Sequence, residues 1–318
     1  QWRIQAILRQ DVRQPHAGHS VITIIPEKEG IFEMRVLVTG AKGQLGYDVV
    51  KELQLRKIDC IGTDIGEFDI TEADSVTAFI SDYRPDVVIH CAAYTAVDKA
   101  EDEPEICRAV NALGTRNIVS VCREIEAKLI YISTDYVFPG TGDREHGTDD
   151  PTGPLGVYGR TKLEGELAVR ELLQKYFIVR ISWVFGKNGS NFVKTMLRLG
   201  KERDTVRVVC DQFGSPTYTA DLAPLLCDMA ATEKYGIYHA TNEGFCSWAE
   251  FAQEIFRQAG YATRVDFIPS SEYPAKALRP LNSRLSKRSL DIAGFRRLPP
   301  WQDAVARYLE EIGERQNI

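Results

Sequence analysis

The sequence predicts an α/β fold with a doubly wound parallel sheet and a smaller, interleaved C-terminal region. Three observations predict it. Short apolar segments of strand type alternate with amphipathic helical segments from residue 34 to residue 182. A glycine-rich stretch, TGAKGQLG, lies between the first apolar segment and the first helical one. After residue 182 the alternation becomes less regular, as expected where a second region begins.

The apolar runs, such as RVLVTG, have the length of strands that are buried on both faces of a parallel sheet. The segments between them show helical periodicity, which is typical of the crossover helices that join parallel strands. We expect strands at 35–40, 59–64, 86–93, 128–134 and 176–182, and helices at 44–57, 72–83, 106–126 and 158–175.

The glycine-rich stretch has the spacing of a phosphate-binding loop. Gly40, Gly43 and Gly46 permit a tight turn and a close approach of the backbone to a pyrophosphate, and Lys42, Gln44 and Leu45 lie between them. The helix that begins here presents free N–H groups to an anion. A plain glycine-rich turn is the alternative, but the strand–loop–helix context favours a Rossmann-type nucleotide site.

Two residues bear on the choice of cofactor. Asp64 comes 18 residues after Gly46, at the end of the second strand, where an acid accepts hydrogen bonds from an adenosine ribose. This favours NADH. Lys42 in the loop can pair with a 2′-phosphate and favours NADPH. Either cofactor is therefore expected.

The later segments predict two interleaved domains. We expect a strand, a Gly/Pro turn and a helix start within 206–223, a strand at 236–242, a helix at 247–260 and mostly loop at 269–300. The dinucleotide-binding domain would comprise residues 34–182 plus about 217–245, and the substrate-binding domain about 183–216 plus 246–312. Residues 1–33 are expected to be an appendage, of native or non-native origin.

Composition excludes several classes of protein. The net charge of −6 argues against a general nucleic-acid binder, whose domains are typically basic. The seven cysteines contain no CxxC pair, which favours reduced thiols over disulfides or a zinc site. Residues 1–33 lack the apolar segment of a signal peptide, and no apolar run has membrane-spanning length. We expect a cytoplasmic protein without membrane partners.

A tyrosine and a lysine form a candidate catalytic pair. Tyr158 and Lys162 are four residues apart on a predicted helix, so their side chains share one face. An ammonium group near a phenol should lower the pKa of the phenol, which could then give a proton to a carbonyl oxygen as hydride arrives. Thr134, at a strand end, could bond the same oxygen. The alternative for this common pattern is surface helix chemistry.

Eight longer motifs are more specific than this pair. They are VTGAKGQLG, CAAYTAVDKAEDEPE, VNALGTRNI, YISTDYVFPG, YGRTKLEGE, VRISWVFG, NFVKTM and DQFGSPTYTADLA. Together, over roughly residues 34–312, they resemble the extended short-chain dehydrogenase/reductase family, and within it the dTDP-4-dehydrorhamnose reductases. The resemblance implies NADPH- or NADH-dependent reduction at C4 of dTDP-4-dehydro-β-L-rhamnose, giving dTDP-β-L-rhamnose.

The resemblance also implies roles for particular residues. Tyr158 would protonate O4, Lys162 would tune it and hold the nicotinamide ribose, and Thr134 would orient the keto oxygen. The adenine–ribose path would be lined by Ala92, Ala93 and Tyr94. The sugar would be faced by Thr95, Val97, Asp98, Asp135 and Trp183, although Trp183 could instead be a core aromatic and Asp98 part of a solvated helix start.

The nucleotide half of such a substrate needs a cation for its diphosphate. Arg279 is the candidate, because its guanidinium suits bidentate binding of phosphate, and Asn191 is a weaker one. A surface ion pair is the alternative for Arg279, and a helix N-cap is the alternative for Asn191.

Other functions remain open at this point. Related dehydratases typically carry Thr-Asp-Glu where this chain has Thr134-Asp135-Tyr136, so elimination is disfavoured. Another nucleotide-sugar epimerase or reductase remains an alternative. A non-catalytic, NADP-binding regulatory subunit of the methionine adenosyltransferase type also shares much of the motif set. The resemblance further suggests a homodimer and Mg²⁺ near Asp48 and the carboxylates of 303–311.

Overall fold

The computed structural model describes residues 34–315, so the appendage predicted at 1–33 lies outside the described residues. The strands are β1 (Arg35–Thr39), β2 (Asp59–Thr63), β3 (Val87–His90), β4 (Lys128–Thr134), β5 (Tyr176–Ile181), β6 (Val184–Phe185), β7 (Thr205–Val209), β8 (Phe213–Gly214), β9 (Thr217–Tyr218), β10 (Gly236–His239), β11 (Cys246–Ser247), β12 (Arg264–Ile268) and β13 (Asn282–Ser283). The helices are α1 (Gln44–Leu55), α2 (Ala73–Tyr83), α3 (Val97–Ala100), α4 (Pro104–Arg108), α5 (Thr115–Glu124), α6 (Val157–Leu172), α7 (Phe192–Glu202), α8 (Thr219–Ala230), α9 (Trp248–Ala259), α10 (Arg288–Ala293) and α11 (Trp301–Glu311).

The largest sheet is parallel and has six strands in the order β10-β5-β4-β3-β1-β2. It therefore contains the first five strands of the chain and the later strand β10. The chain order reverses beside β1, where Val38 lies opposite Gly62 of β2 on one side and Ile89 of β3 on the other. Such a reversal opens a crevice at the carboxyl ends of the strands. The predicted α/β fold with a doubly wound parallel sheet is confirmed.

Alternate residues of the strands supply two cores, one on each face of this sheet. Val36 and Val38 of β1 pack with α1 and α8 on one face. Leu37 of β1 and Leu129 of β4 pack with α2, α5 and α6 on the other. Because both faces are covered, the strands are apolar throughout, which is why their sequences do not alternate.

Helix α6 lies especially close to β4. A Cβ atom at Gly165 would collide with the Tyr131 hydroxyl group and with the backbone carbonyl oxygen of Asn111. The Tyr131 hydroxyl in turn donates a hydrogen bond to the Lys162 carbonyl oxygen at 3.2 Å. Glycine therefore allows the helix to sit directly on the strand, and the hydrogen bond to Lys162 holds this part of the helix against β4.

The C-terminal region has its own core, in which α7 and α9 pack on the β7–β12 pair and α11 packs on α9 and β9. The chain reaches this region through β6, returns to the large sheet through α8 and β10, and leaves it again at β11. The path is therefore interleaved. The domain boundaries stay predictions, and α10, from the predicted substrate-binding part, packs on β10 of the large sheet.

Two segments differ from the predicted elements. The helix predicted at 106–126 is interrupted by a π-helical turn at Ala109–Gly114. Within that turn the Asn111 side chain accepts a hydrogen bond from the Tyr94 N–H at 2.8 Å and donates one to the Tyr94 carbonyl at 3.1 Å. The stretch 269–300, predicted to be mostly loop, contains β13 and α10, which are too short to give a periodic signal.

All seven cysteines lie within the described range as free thiols. Among the helices of residues 34–315, none combines the length and the apolar character that crossing a membrane requires.

Candidate active site

A cavity of about 830 Å³ opens at the carboxyl edge of the large sheet, where the order of the strands reverses. It is lined by residues that follow β1 to β4 and by aromatic residues of the C-terminal region. The predicted site residues that line it are Gly40, Lys42, Gly43, Gln44, Leu45, Asp64, Ala92, Ala93, Thr95, Val97, Thr134, Asp135, Tyr158, Lys162 and Trp183.

The glycine-rich loop forms one wall of this cavity. Gly40 adopts the left-handed conformation with φ of 70°, and its carbonyl oxygen accepts a hydrogen bond from the Gly43 N–H at 2.9 Å. The same carbonyl lies so close to Gly46 that a Cβ atom there would overlap it. Gly46 is thus a packing residue beneath the loop. Helix α1 has no side-chain cap at its N-terminus, which leaves its first N–H groups free for an anion.

Asp64 and Lys42 lie together at the β2 end of the cavity. One Asp64 carboxylate oxygen accepts the Lys42 N–H at 3.1 Å and the other accepts the Ile65 N–H at 3.0 Å. The Lys42 ammonium is 3.7 Å from a Glu67 carboxylate oxygen and its side chain is mostly exposed. The acid and the base therefore lie side by side at the end of β2.

Thr134, Tyr158 and Lys162 converge on the cavity from two elements. Tyr158 is in the first turn of α6, and its ring packs edge-on against Tyr136 at 5.4 Å between centroids. Thr134 ends β4, where its hydroxyl accepts the Tyr136 N–H at 3.2 Å and donates to Asp135 at 3.0 Å. The Lys162 ammonium lies 4.1 Å from the centre of the Tyr131 ring.

The electrostatics of the pair differ from the prediction. Burial raises the pKa of the Tyr158 phenol, and the neighbouring Thr134 hydroxyl offsets only part of the effect. Burial also lowers the pKa of Lys162 to about 7. The prediction that the ammonium lowers the pKa of Tyr158 is wrong for this structure, because desolvation by burial is the largest influence on the phenol and raises its pKa. The phenol is consequently protonated at neutral pH.

Asp135 is a buried carboxyl group on the cavity wall. It accepts hydrogen bonds from Thr134 and from Ser283 of β13, so it joins the end of β4 to the C-terminal region. Burial raises its pKa to about 6, and the hydrogen bonds from Ser283 and Thr134 counteract part of that rise.

Aromatic side chains close the other end of the cavity. Trp183 lines it and stacks on Trp248, with ring centroids 3.8 Å apart, and Phe192 packs against Trp248 at 4.6 Å. Trp183 has a φ of 50°, a conformation that bulky residues rarely adopt. The sequence analysis missed Trp248 and Phe192, whose only signal was an aromatic residue at the start of a predicted helix.

Five predicted site residues do not line the cavity: Gly46, Tyr94, Asp98, Asn191 and Arg279. The Arg279 guanidinium pairs with the Asp98 carboxylate at 2.7 Å, and Asp98 also accepts the Ala277 N–H at 3.1 Å. The Tyr94 hydroxyl donates to Glu103 at 2.8 Å. The Asp98 carboxylate and the Tyr94 hydroxyl group therefore have partners within the protein.

Asn191 serves as the N-cap of α7, the alternative given by the sequence. Its side-chain oxygen accepts the Lys194 N–H at 2.9 Å. Its amide nitrogen donates to the Gly186 carbonyl at 2.9 Å and to the Tyr308 hydroxyl at 3.1 Å. Because the amide is used at both ends, the structure gives Asn191 a packing role.

In residues 34–315, no group of three or more His, Cys, Asp or Glu side chains is arranged to hold a metal ion. Asp48 accepts a 2.5 Å hydrogen bond from Thr219, and burial raises its pKa. Glu311 pairs with Lys51 at 3.5 Å.

Comparison with known proteins places the chain in a family. The model of the RmlD substrate binding domain matches residues 34–314. The chain belongs to the RmlD family. The match includes both the glycine-rich loop and the C-terminal region, so the RmlD unit contains the whole cavity.

Relatives of this RmlD-family chain share most of its length. It is 44% identical to a dTDP-4-dehydrorhamnose reductase of Streptomyces griseus, over 85% of this chain and 91% of that protein. Its fold matches the crystal structure of dTDP-4-dehydrorhamnose reductase from Bacillus anthracis in complex with NADP, with a TM-score of 0.86 and 44% identity, covering 88% of this chain and 99% of that one. The dTDP-4-dehydrorhamnose reductase of Clostridium acetobutylicum also matches with a TM-score of 0.86, at 40% identity over 88% of this chain and 100% of the other.

The capping role of Asn191 predicts a loss of stability on substitution. Asn191→Ala should lower the free energy of unfolding by about 1–2 kcal/mol, because it removes an N-cap and leaves buried groups without partners. Urea unfolding followed by circular dichroism measures this. Thr195→Ala, an exposed change on the same helix, should stay within about 0.5 kcal/mol of the unmodified protein. Equal midpoints for Asn191→Ala and the unmodified protein would contradict the capping role.

Proposed function

We propose that this RmlD-family chain reduces the C4 keto group of dTDP-4-dehydro-β-L-rhamnose with NADPH or NADH and forms dTDP-β-L-rhamnose, the last step in making that nucleotide sugar. The observation that carries the proposal is the convergence of a threonine hydroxyl, a partly buried phenol and a buried lysine on one cavity beside a phosphate-binding loop. The reductases that resemble the chain over most of its length support the substrate.

The cavity wall fits a dinucleotide. Gly40, Gly43 and the free N–H groups of α1 would hold the diphosphate, and Lys42 and Asp64 would meet the adenosine ribose. Small residues at 92 and 93 leave room along the wall between them. When bound, the nicotinamide supplies the hydride.

The residues of this chain supply the proton and the orientation. Tyr158 is protonated at neutral pH because burial raises the pKa of its phenol, and it donates this proton to O4. The Thr134 hydroxyl bonds the same oxygen and fixes its direction. The phenolate that forms needs a nearby cation, and protonated Lys162, whose side chain is buried beside the cavity, provides it.

The sugar would occupy the aromatic end of the cavity. Thr95, Val97, Asp135 and Trp183 line this space, and the Asp135 carboxyl would accept a sugar hydroxyl group. The Arg279 guanidinium uses Nη2 for Asp98 at 2.7 Å, and its Nη1 has no hydrogen-bond partner among the described residues, so this nitrogen would bind the diphosphate.

A substitution at Tyr158 tests the reaction. Tyr158→Phe should lower kcat at least about 100-fold, because it removes the proton donor. Affinity for NADPH, followed by quenching of protein fluorescence, should change less than about twofold. Turnover is measured as loss of reduced nicotinamide absorbance when the 4-keto dTDP-sugar is added.

Tyr83→Phe is the matched control, because Tyr83 contacts Arg35 at the opposite edge of the sheet. It should leave kcat unchanged. Near-normal kcat in the Tyr158→Phe variant would show that the proton comes from elsewhere. Unmodified protein that binds NADPH without any turnover would instead favour a non-catalytic binding subunit.

Substitutions at Lys42 and Asp64 test the choice of cofactor. Lys42→Ala should lower kcat/KM for NADPH about tenfold relative to NADH, because a charge-assisted bond to the 2′-phosphate is lost. Asp64→Ala should shift the ratio in the opposite direction. Lys51→Ala, an exposed lysine on α1, is the control and should leave the ratio unchanged. A shift in the same direction for both variants would remove these assignments.

A homodimer and a Mg²⁺ requirement stay predictions of the family resemblance. Carboxylates near Asp48 and 303–311 would have to be joined by groups from a second copy to complete a metal site. Light scattering with and without Mg²⁺ measures the mass in solution, and a monomer under both conditions would remove both predictions.

A further inference from the structure

Glu166 is a buried carboxylate that the proposed mechanism does not use. Only 1% of its surface is exposed. One oxygen accepts the Ser133 hydroxyl at 2.5 Å and the Arg180 Nε at 2.9 Å, and the other accepts the Arg180 Nη2 at 2.7 Å. Arg180 is also buried. Such a forked, fully desolvated pair has a single geometry.

This network connects the elements that carry the reacting groups. Ser133 directly precedes Thr134 on β4 and lies opposite Arg180 on β5. Glu166 is one helical turn beyond Lys162 on α6. A shift of the helix relative to the strand would therefore break bonds of the buried pair. The network fixes Thr134 relative to Lys162.

The surroundings of Lys162 make Glu166 important electrostatically as well. Among the influences on the pKa of Lys162, the negative charge of Glu166 is the largest one that opposes the lowering by desolvation. Burial keeps His90 and Cys91 uncharged at neutral pH, since it lowers the pKa of His90 to about 3 and raises that of Cys91 to about 12. The titratable and charged groups packed around this site are Glu166 and Tyr158 on α6, His90 on β3 and Cys91 just after it, Cys107 on α4, Tyr131 on β4 and Arg180 on β5.

We propose that Glu166 is a positioning residue that keeps Lys162 protonated and holds it in register with Thr134 at the reacting ketone, an inference that rests on the proposed reductase function. Arg180 pairs with the buried carboxylate through two of its nitrogens and fixes its orientation. The hydrogen bond from Ser133 links the carboxylate to the end of β4, directly before Thr134. Glu166 does not line the cavity, so it acts through Lys162 rather than on the substrate.

A purely structural ion pair and this role differ in their effect on the pH profile. Reduction needs protonated Lys162, so kcat/KM should fall as the pH rises through the pKa of this group. Loss of the Glu166 charge lowers that pKa further, because a buried cation then has no anion to oppose its desolvation. A structural role alone would lower the rate equally at every pH.

The experiment compares pH profiles of kcat/KM for reduction of the 4-keto dTDP-sugar. In Glu166→Gln the midpoint of the fall at high pH should lie about one pH unit below that of the unmodified enzyme. Glu166→Asp keeps the charge but withdraws it from Ser133 and Arg180, so kcat should fall while the midpoint stays within about 0.3 units. Glu164→Gln, an exposed glutamate paired with Arg108, should change neither.

A fourth variant makes the test independent of how Glu166→Gln folds. In Lys162→Arg the guanidinium stays charged throughout, so the fall at high pH should disappear from whatever activity remains. If kcat/KM of Lys162→Arg still fell at high pH, the inference would be overturned, because the group whose titration causes the fall would not be Lys162. A uniform loss of rate in folded Glu166→Gln with an unchanged midpoint would also overturn it. Absence of turnover in the unmodified protein would instead refute the proposed function.

Discussion

The close packing of α6 on β4 is the constraint on which the candidate site depends. With a glycine at 165, the helix backbone rests on the Tyr131 hydroxyl, and a side chain there would push the two elements apart. Forcing extra atoms into such a contact typically costs about 1–3 kcal/mol. The same contact, with the hydrogen bond from Tyr131 to the Lys162 carbonyl, holds α6 in one position along β4. Tyr158 and Lys162 thereby reach the edge of the sheet at which β4 delivers Thr134.

Burial then decides the chemistry of these groups. A phenol and an ammonium brought out of water both lose preference for their charged forms, which leaves Tyr158 protonated and Lys162 near its titration midpoint at neutral pH. Such a phenol gives up a proton only when a cation is close to the phenolate that forms. Keeping Lys162 in its charged form is therefore as important for reduction as the position of Tyr158. Under the proposed role of Glu166, the buried Glu166–Arg180 pair is then a functional part of the active site.

Sequence patterns correctly predicted the parts of the site that are formed by residues close together in the chain. The glycine-rich loop, Asp64 at a strand end and the Tyr158–Lys162 spacing all lie on the cavity. Contacts between distant segments could not be predicted in this way. The pairing of Arg279 with Asp98 joins residues 181 positions apart, and Trp248 at the start of α9 stacks on Trp183, which lies between β5 and β6. The predicted direction of the Tyr158 pKa shift was wrong for a related reason. The sequence indicates which groups are neighbours of the phenol, but it does not indicate how deeply the phenol is buried.

The return of the chain to the large sheet through β10 has a consequence for how the protein is made. β10 covers the outer edge of β5, yet it is synthesised only after the first α-helix and strands of the C-terminal region. Until then the nascent sheet ends in an open apolar strand, which is a template for pairing with other chains. A fragment cut at residue 182 would expose this edge permanently and should aggregate, so the nucleotide half cannot simply be excised as a free-standing module.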